Sequence, residues 1–544
     1  MTKIRSRPTF SSLACIIVCA TTLSACGTSL PPDENSSMDA IEDASEPTRP
    51  NILFIMSDDH AIKAISAYGD SVVSTPSIDA LAENGVLFQN SFVTNSICAP
   101  SRAVLLTGKF SHLNGLRDNR DSFNGSQLTF PQLLQDAGYH TSVVGKWHLK
   151  SDPIGFDEWK ILIGQGEYYS PRFRSSDGTE TFEGAYVTDK ITDIAIETLD
   201  NRDRSKPFVM LYNHKAPHRN WMPSTEDLNG QPEEFAVPST FDDSYANRPA
   251  AEEADMRIAD MSVSLDMKLQ KGEYDVEDNS GGARYQNNPS IMFEYAWNGA
   301  YRRLSPDQKV VWDAYYSEHL AGYHAVKDDP KSLARWKHQR YLDDYTKTIT
   351  ALDRNIGEMV SYLEETGQLD NTIIIYTSDQ GFYLGEHGWY DKRFMYEESM
   401  RTPLIVRMPE SNREAALVPD LVQNIDYAPT ILDLAGVQVP EEMQGASLKP
   451  FLSGQATGKW RDSLYYHYYE YPHGWHAVRK HYGVRTETHK LIHFYEAPGH
   501  WELYDLIEDP DELNNLYGAP EVSAIQKVLH HELTELQDLY GDEL

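Results

Sequence analysis

The sequence predicts an α/β protein: a large mixed, mostly parallel sheet sandwiched by helices, followed by a small C-terminal α+β domain with an antiparallel sheet. Apolar runs such as residues 51–56 are short and continuous, as in strands buried on both faces. Helical patterns lie between these runs, and such alternation is typical of a parallel sheet covered on both faces. After about residue 455 the segments become aromatic, His-rich and alternating, which predicts the antiparallel sheet.

The first 26 residues predict a lipoprotein signal peptide. Lys3, Arg5 and Arg7 precede an apolar run over residues 13–23, which is too short to span a bilayer as a helix. Leu-Ser-Ala-Cys at residues 23–26 resembles a bacterial lipobox, which implies cleavage before Cys26 and lipidation of its sulfur. An ordinary secretory peptide is the alternative. Residues 27–49 predict a flexible tether, because they contain almost nothing to bury. We expect an exported bacterial lipoprotein, periplasmic or outer-membrane anchored, that contacts the membrane only through Cys26.

The large domain is predicted over residues 50–455. Four apolar runs, at residues 51–56, 140–144, 208–212 and 372–376, lead directly into polar, titratable residues. Helical patterns at residues 77–84 and 130–137 each end at a glycine. Because ligands of such sheets bind beyond the carboxyl ends of the strands, we expect the four strand ends to converge on one site.

Two long segments complete the chain. Residues 224–328 are acidic and too long for an ordinary connection, so we interpret them as an insertion with a helix near residues 305–316. A helix opens at Asp329-Pro330 and stops at Gly367, with a core-facing stripe at three/four spacing. The small domain is predicted over residues 456–544 and closes with a helix near its end.

Composition excludes some partners. The chain has 48 basic and 82 acidic residues, a net charge of -34, which argues against binding nucleic acid or an anionic membrane. Of the four cysteines, Cys15 and Cys19 leave with the signal peptide and Cys26 would carry lipid. Cys98 is therefore unpaired in an oxidising compartment, where a free thiol is unusual, so it is either well buried or chemically altered. A structural cysteine before a helix is the plain alternative.

Acidic pairs follow two of the predicted strands. Asp58 and Asp59 end one strand, and Asp379 and Gln380 end another. Three carboxylates and an amide oxygen are hard ligands that suit calcium or magnesium rather than zinc. Paired aspartates after a strand can also be mere caps or turns, but two such pairs at one sheet edge favour a metal site.

Cys98-Ala99-Pro100-Ser101-Arg102, followed by Leu106-Thr107-Gly108, resembles the C-x-P-S-R element of the type I sulfatases, members of the alkaline-phosphatase-like superfamily. In that family a maturation enzyme oxidises the cysteine to formylglycine. The resemblance runs from about residue 50 to the C-terminus and is weakest in the insertion. In these sequence motifs the chain most resembles bacterial polysaccharide sulfatases that are similar to N-acetylglucosamine-6-sulfatase. Further matching segments are Asp58-Asp59-His60, Gly145-Lys146-Trp147-His148, Ala216-Pro217-His218, residues 377–381, Gly385-Glu386-His387-Gly388 and Asp391-Lys392-Arg393.

The resemblance implies hydrolysis of sulfate esters through a hydrated formylglycine at position 98 and a bound divalent cation, with calcium expected before magnesium. Cys98, once modified, would join Asp58, Asp59, Asp379 and Gln380 at the metal. Many relatives carry Asn or His where this chain has Gln380. The implied roles of the other residues are as follows: Arg102 holds the diol, Asp379 assists its deprotonation, Lys146 and Lys392 bind sulfate oxygens, His218 protonates the leaving alcohol, and His148 takes the proton whose loss expels sulfate.

The substrate side is expected to bind a sugar ring through polar and aromatic residues. Interdomain packing is the alternative for these residues, and ulvan, carrageenan, fucoidan and glycosaminoglycan fragments all remain open as substrates. The expected function is a carbohydrate sulfatase; a phosphonate or phosphate ester hydrolase and a non-catalytic glycan-binding surface lipoprotein are the alternatives. The candidate substrate residues are His214, Lys215, Arg219, Trp221, Glu386, His387, His481 and Arg485, with His473 and His476 as further residues that could reach in.

Overall fold

A computed structural model describes residues 49–228, 234–269, 289–409, 416–456, 458, 460–472 and 475–543. The predicted signal peptide, Cys26, all but the end of the tether and His473 lie outside these residues. Within the part that is described, no helix has both the length and the apolar character needed to cross a bilayer.

The strands lie, in chain order, at β1 (Asn51–Ser57), β2 (Val86–Phe92), β3 (His140–Gly145), β4 (Glu158–Leu162), β5 (Arg172–Ser175), β6 (Gly178–Thr181), β7 (Phe208–Asn213), β8 (Thr372–Ser378), β9 (Tyr383–Leu384), β10 (Tyr390–Asp391), β11 (Leu404–Arg407), β12 (Ala416–Gln423), β13 (Ser463–Tyr468), β14 (His481–Thr486), β15 (His489–Phe494) and β16 (His500–Asp505). The α-helices lie at α1 (Pro76–Glu83), α2 (Cys98–Thr107), α3 (Ser111–Asn114), α4 (Phe130–Asp136), α5 (Val187–Asn201), α6 (Pro249–Glu253), α7 (Pro289–Tyr301), α8 (Pro306–Ser317), α9 (Leu320–Val326), α10 (Pro330–Glu365), α11 (Glu397–Met400), α12 (Tyr427–Leu434), α13 (Lys449–Leu452) and α14 (Ser523–Tyr540).

Ten strands form one mixed sheet in the order β12-β2-β11-β8-β1-β7-β3-β4-β5-β6. At its centre, β1 pairs in parallel with both β7 and β8, and β3 pairs in parallel with β7 and β4. By contrast, β11 runs antiparallel to its two neighbours, and β5 and β6 form an antiparallel edge. The four strands predicted from continuous apolar runs are therefore the four adjacent central strands.

Helices cover both faces of this sheet, as predicted. Because side chains alternate along a strand, Leu53 and Ile55 of β1 belong to one apolar cluster with α1, α5 and α10. Phe54 and Met56 belong to a second cluster with α2, α4 and α12. All seven residues of β1 are buried, which explains why its sequence shows no alternation.

The C-terminal segment forms the predicted antiparallel sheet, in the order β13-β14-β15-β16. Its fourth strand, β16, was not among the predicted strands. One face packs on α14 through Tyr465 and Leu533, and Tyr468 of the same sheet packs with Trp389 of the large domain. The predicted helix of the insertion is α8. The side-chain oxygen of its N-cap residue Ser305 accepts a hydrogen bond from the backbone N–H of Gln308 at 3.3 Å. The domain boundary near residue 456 stays a prediction.

Candidate active site

The four central strands end side by side, and each delivers polar residues to the same edge of the sheet. The backbone N–H of Asp58, after β1, donates to the carbonyl of Ala216, after β7, at 3.1 Å. The N–H of Asp59 donates to Oδ1 of Asp379, after β8, at 3.2 Å. Lys146, after β3, donates its N–H to the Asn213 carbonyl at 2.8 Å. These hydrogen bonds, two between backbone groups and one to the Asp379 side chain, bring the strand ends together as the sequence predicted.

Helix α2 begins at Cys98, which is fully buried. The start of the helix is fixed by Asn119, whose Oδ1 accepts from the Ala99 N–H at 3.2 Å. Burial raises the pKa of the Cys98 thiol far above its ordinary value, against the opposing effect of Lys146 and Lys392. The thiol is therefore neutral and a poor nucleophile as it stands.

A cluster of candidate metal ligands lies beside Cys98. We call Asp58, Asp59, Cys98, Asp379 and Gln380 the strand-end cluster. One ligand atom from each of its three carboxylates and from Cys98 lies within 4.8 Å of the others. The Gln380 Nε2 donates to Asp59 and lies 3.7 Å from Cys98 Sγ.

Two oxygen atoms of the cluster lack the hydrogen bond that a buried acceptor normally receives. Asp58 Oδ1 and Gln380 Oε1 are buried without a hydrogen-bond partner. Buried acceptors are normally satisfied, so such atoms require an explanation. Carboxylate and amide oxygens are the ligands that a hard divalent cation takes, and the residues present therefore fit such a cation.

Burial, mutual repulsion and neighbouring cations shift the pKa values of the three carboxylates of the cluster. Burial raises the pKa of Asp59 to about 7, with Asp58 and Asp379 adding to the effect and Lys392 opposing it. Burial and the Asp58 charge raise the pKa of Asp379 to about 6. Burial would also raise the pKa of Asp58, but Lys146, His218 and Arg102 hold it well below its usual value.

Each carboxylate of the cluster has a buried cation beside it. Lys146 Nζ contacts Asp58, and Lys392 Nζ lies 2.6 and 2.7 Å from the two oxygens of Asp59. Arg102 holds Asp379 Oδ2 with Nε at 3.1 Å and Nη2 at 2.9 Å. Its Nη1 donates to the Lys146 carbonyl at 2.9 Å, which joins α2 to the end of β3.

Two histidines border the same space. The His218 Nδ1 donates to the Arg219 carbonyl at 2.6 Å, which leaves Nε2 facing Asp59 Oδ2 at 3.8 Å. The His148 Nδ1 is buried without a hydrogen-bond partner. Burial lowers the pKa of both imidazoles well below the ordinary value, and Lys146 lowers that of His148 further.

A cavity of about 860 Å³ opens onto these groups. Cys98, His148, His218 and Lys392 border it, and part of its lining is apolar and comes from the insertion. A second set of polar residues, which we call the polar wall, also borders the cavity; it consists of Asp391, Arg393, Glu470 and His476. The cavity is large enough for a sugar ring.

The polar wall is an ionic network. Asp391 Oδ1 accepts from Arg393 Nε at 3.1 Å, and its Oδ2 lies 3.1 Å from His476 Nε2. Arg393 also contacts Glu470. Burial would raise the pKa of Asp391, but Arg393, Lys392 and His476 hold it well below its usual value. Of the four residues of the polar wall, the sequence analysis named only His476 as one that could reach the sugar. The position of Asp391 and Arg393 on either side of Lys392 was the signal that could have identified these two.

The candidate substrate residues near His218 divide into two groups. Lys215 and Arg219 border the cavity, and Arg219 is held by Asp266 of the insertion at 2.8 and 2.7 Å. His214 is instead fully buried with its ring against Tyr212, 4.3 Å between centroids. Trp221 is fully buried against Tyr341. His214 and Trp221 thus lie outside the cavity lining, and substrate contact by either stays a prediction.

The other four candidates also lie away from the cavity. His387 is fully buried with its Nδ1 2.8 Å from Asp243, and His481 is fully buried among aromatic rings. Glu386 pairs with Lys63 at 2.7 Å and Arg485 pairs with Glu397 at 3.1 Å; both border a different cavity, of about 700 Å³. Glu386, His387, His481 and Arg485 thus take part in packing and ion pairs outside the lining of the cavity that Cys98 borders, and their substrate contacts stay predictions.

Carboxylates, cations and histidines at the strand ends of a mixed α/β sheet form an arrangement suited to the hydrolysis of sulfate or phosphate esters. The sequence model of the sulfatase family matches residues 50–437, and that of the N-sulphoglucosamine sulphohydrolase C-terminal region matches residues 385–539. The chain belongs to the sulfatase family. This family generally uses formylglycine and a divalent metal.

Individual relatives agree with this assignment. The chain is 47% identical over 505 residues to an N-acetylglucosamine-6-O-sulfatase of Bacteroides thetaiotaomicron, covering 91% of this chain and 88% of the relative. It is 24% identical over 518 residues to an ulvan-active sulfatase of Formosa agariphila, covering 92% and 84%. A solved structure of a protein in complex with its substrate D-glucosamine-2-N,6-O-disulfate matches with TM-score 0.84 and 46% identity, covering 91% of this chain and 99% of that one. These findings confirm the predicted carbohydrate sulfatase and its fold.

Proposed function

We propose that this chain hydrolyses the 6-O-sulfate ester of glucosamine residues, N-acetylated or N-sulfated, in glycosaminoglycan-type saccharides. The observation that carries the proposal is a single cavity bordered both by Cys98, His218 and Lys392 and by the polar wall. The similarity to the N-acetylglucosamine-6-O-sulfatase and to the glucosamine-disulfate complex supports this sugar over the other polysaccharides.

Two groups complete the proposed site. We propose that Cys98 is matured to formylglycine by a dedicated enzyme, and that calcium, with magnesium as the alternative, binds the strand-end cluster. The hydrated aldehyde would supply the nucleophilic oxygen, and the cation would lower the pKa of a neighbouring hydroxyl and neutralise sulfate charge. The unpartnered oxygens of Asp58 and Gln380 support this ligand set.

The chain's own residues then hold and protonate the ester. Lys146 and Lys392 lie beside the carboxylates of the cluster, where their ammonium groups can bind sulfate oxygens. Because the His218 Nδ1 donates to the Arg219 carbonyl, Nε2 is the atom that faces the leaving alcohol; it can give a proton only from the imidazolium, a form that the negative charge of a bound sulfate ester would favour. The unpartnered Nδ1 of His148 can accept a proton at the Cys98 end of the cavity.

The polar wall is suited to sugar hydroxyls. An ionised Asp391 can accept from a hydroxyl, and Arg393 can donate to one, whereas both ring nitrogens of His476 are already engaged and orient Asp391. Because His476 Nδ1 donates to the carbonyl of Asp255 at 2.6 Å, its ring is fixed and cannot turn away. Recognition of several hydroxyls at once would favour one sugar and one sulfate position.

The test is sulfate release by the matured, metal-loaded enzyme from saccharides of defined linkage. We expect the highest kcat/KM on glucosamine 6-sulfate carrying an N-acetyl or N-sulfo group, and much lower values on 2-O- and 4-O-sulfated sugars. Matched aryl sulfate and aryl phosphate esters serve as the chemical control. Faster hydrolysis of the phosphate would mean a phosphate ester hydrolase, and glycan binding without sulfate release would mean a non-catalytic lipoprotein.

We also propose that the chain is an exported lipoprotein, periplasmic or outer-membrane anchored through Cys26. The lipobox-like Leu-Ser-Ala-Cys at residues 23–26 supports this proposal. Expression of the full chain with radiolabelled palmitate in a bacterial host tests it, with Cys26→Ala as control. Equal labelling of both proteins would contradict it.

A further inference from the structure

Lys215 is a buried cation without a counter-ion. Four cationic side chains that are buried or half-buried border the cavity in the described part of the chain: Lys215, Arg219, Lys392 and Arg393. Arg219 pairs with Asp266, Lys392 with Asp59, and Arg393 with Asp391 and Glu470. Among the described residues, no carboxylate oxygen lies within 4.0 Å of Lys215 Nζ. An unpaired charge in such a place is costly and is normally compensated.

The protein contacts of this ammonium are weak substitutes for an anion. The Nζ donates to the Gln165 carbonyl at 3.2 Å and lies 4.7 Å from the centroid of the Tyr168 ring. At least one of its three N–H bonds is thus left for a ligand. Gln165 borders the same cavity, and its side-chain Oε1 is buried without a hydrogen-bond partner. Burial, with a contribution from Lys146, lowers the pKa of Lys215 to about 8, as expected for a cation that lacks a partner.

The position of Lys215 places it on the reacting side of the cavity. Tyr168, whose ring lies under the ammonium, donates its hydroxyl hydrogen to the His218 carbonyl at 2.7 Å. The next residue, Ala216, accepts the backbone N–H of Asp58. The segment that carries Lys215 is therefore fixed between the proposed proton donor and the strand-end cluster. None of these contacts connects it to the polar wall.

We propose that Lys215 is a third lysine that binds the reacting sulfate group, beside Lys146 and Lys392. The three lysines differ in one respect. The charges of Lys146 and Lys392 are already balanced by Asp58 and Asp59, whereas that of Lys215 is not. In a chain of net charge -34, Lys215 therefore offers uncompensated positive charge where an anion must enter. An ester lacking the negative charge would leave Lys215 unpaired and would bind poorly.

The proposal rests on the proposed function only in that the chain acts on sulfate esters. The experiment uses the full matured, metal-loaded enzyme with Lys215→Gln, Lys215→Met and Lys215→Arg. Lys215→Met keeps the aliphatic stem against Tyr168 and serves if the glutamine variant folds poorly. Lys160→Gln is the matched control, because Lys160 pairs with Glu180 on the edge strands. Kinetics are measured on an aryl sulfate and on glucosamine 6-sulfate, together with inhibition by inorganic sulfate.

We expect the two neutral variants to raise the inhibition constant of inorganic sulfate about tenfold or more, and to lower kcat/KM on both esters by similar factors of about 10 to 100. Lys215→Arg should recover most of both losses, and Lys160→Gln should stay within about twofold. Unchanged sulfate inhibition in Lys215→Met overturns the proposal, as does a loss confined to the sugar substrate. If the wild type hydrolyses the aryl sulfate but not glucosamine 6-sulfate, the substrate proposal fails while the test of Lys215 stands.

Discussion

The strand-end cluster and the polar wall border one cavity but are built in different ways. The cluster sits at the ends of β1 and β8 and at the start of α2. Its spacing is fixed by the hydrogen bond from the Asp379 N–H to the Ser57 carbonyl and by that from the Asp59 N–H to the Asp379 side chain. The polar wall is assembled from Asp391 at the end of β10, Arg393 just after it, Glu470 after β13, and His476. The insertion holds it through the carbonyl of Asp255. The chemistry thus depends on the central sheet, whereas recognition depends on peripheral segments that can change without moving the sheet.

Loss of Cys98 should remove the chemistry and leave recognition intact. We expect Cys98→Ala to lower sulfate release from aryl and sugar esters alike by about 10³-fold or more, because no other residue supplies the nucleophile. Binding of the unreacted sugar ester, measured by calorimetry, should persist within a few-fold. Mass spectrometry of the wild-type peptide should show an aldehyde at position 98. A fully active enzyme with an unmodified thiol would exclude the formylglycine mechanism.

His218 should separate esters by their leaving groups. An aryl oxide leaves readily, whereas a sugar alkoxide needs a proton, so His218→Gln should cost about 10²- to 10⁴-fold in kcat on glucosamine 6-sulfate and much less on the aryl sulfate. Rates on a series of aryl sulfates of rising leaving-group pKa provide the measurement. The variant should show a steeper dependence on leaving-group pKa than the wild type, and equal slopes would exclude His218 as the proton donor.

Asp391 should show the opposite pattern. Asp391→Asn keeps an oxygen that can accept from Arg393 but loses the charge, and a hydrogen bond to a charged group is worth about 1.5–3 kcal/mol. We expect kcat/KM on glucosamine 6-sulfate to fall about 10- to 100-fold and that on the aryl sulfate to change less than about threefold. Because Asp391 also adjoins Lys392, an equal loss on both esters would show that it positions the lysine rather than the sugar.

The sequence predicted the strand-end cluster well because each of its members follows a buried strand or begins a helix within a short motif. Four apolar runs that end in charged residues are enough to place Asp58, Lys146, His218 and Asp379 together once the strands are parallel. The polar wall has no such local signal. Its members are separated by up to 85 residues, as between Asp391 and His476, and their meeting depends on tertiary packing.

The same limit applies to the predicted substrate residues that lie away from the cavity. A sequence does not show which way a polar side chain faces when it lies in a motif or in a His-rich segment. This applies to His387, His481, Glu386 and Arg485. Their partners are, in the same order, Asp243, Met395, Lys63 and Glu397. Each partner lies 86 or more residues away in the sequence, and Asp243 belongs to the insertion. Buried polar groups with distant partners therefore resemble site residues until the fold is known.

Substitution of His481 should have the smallest effect on activity, and it tests directly whether this residue serves packing or the substrate. Its Nε2 accepts the Met395 N–H at 3.1 Å, its Nδ1 donates to the Arg479 carbonyl at 2.8 Å, and its ring packs near Phe494. His481→Phe keeps an aromatic ring but leaves two buried backbone groups unpaired, so we expect the free energy of unfolding to fall by about 2–4 kcal/mol at pH 7. At 25 °C kcat/KM on glucosamine 6-sulfate should stay within about twofold.

The pH dependence of that stability difference identifies the cause. Burial lowers the pKa of His481 to about 3, with His467 and His500 nearby, so the folded protein keeps this imidazole neutral while the unfolded chain protonates it near its ordinary 6.5. The native state then binds fewer protons, and the stability that His481 contributes is full above pH 6.5 and falls as pH drops. The difference between wild type and His481→Phe should therefore shrink by up to about 2 kcal/mol between pH 7 and pH 5, as measured by urea unfolding. A stability difference that does not change with pH would contradict this cause. A loss of sugar hydrolysis without a loss of stability would show that His481 contacts the substrate.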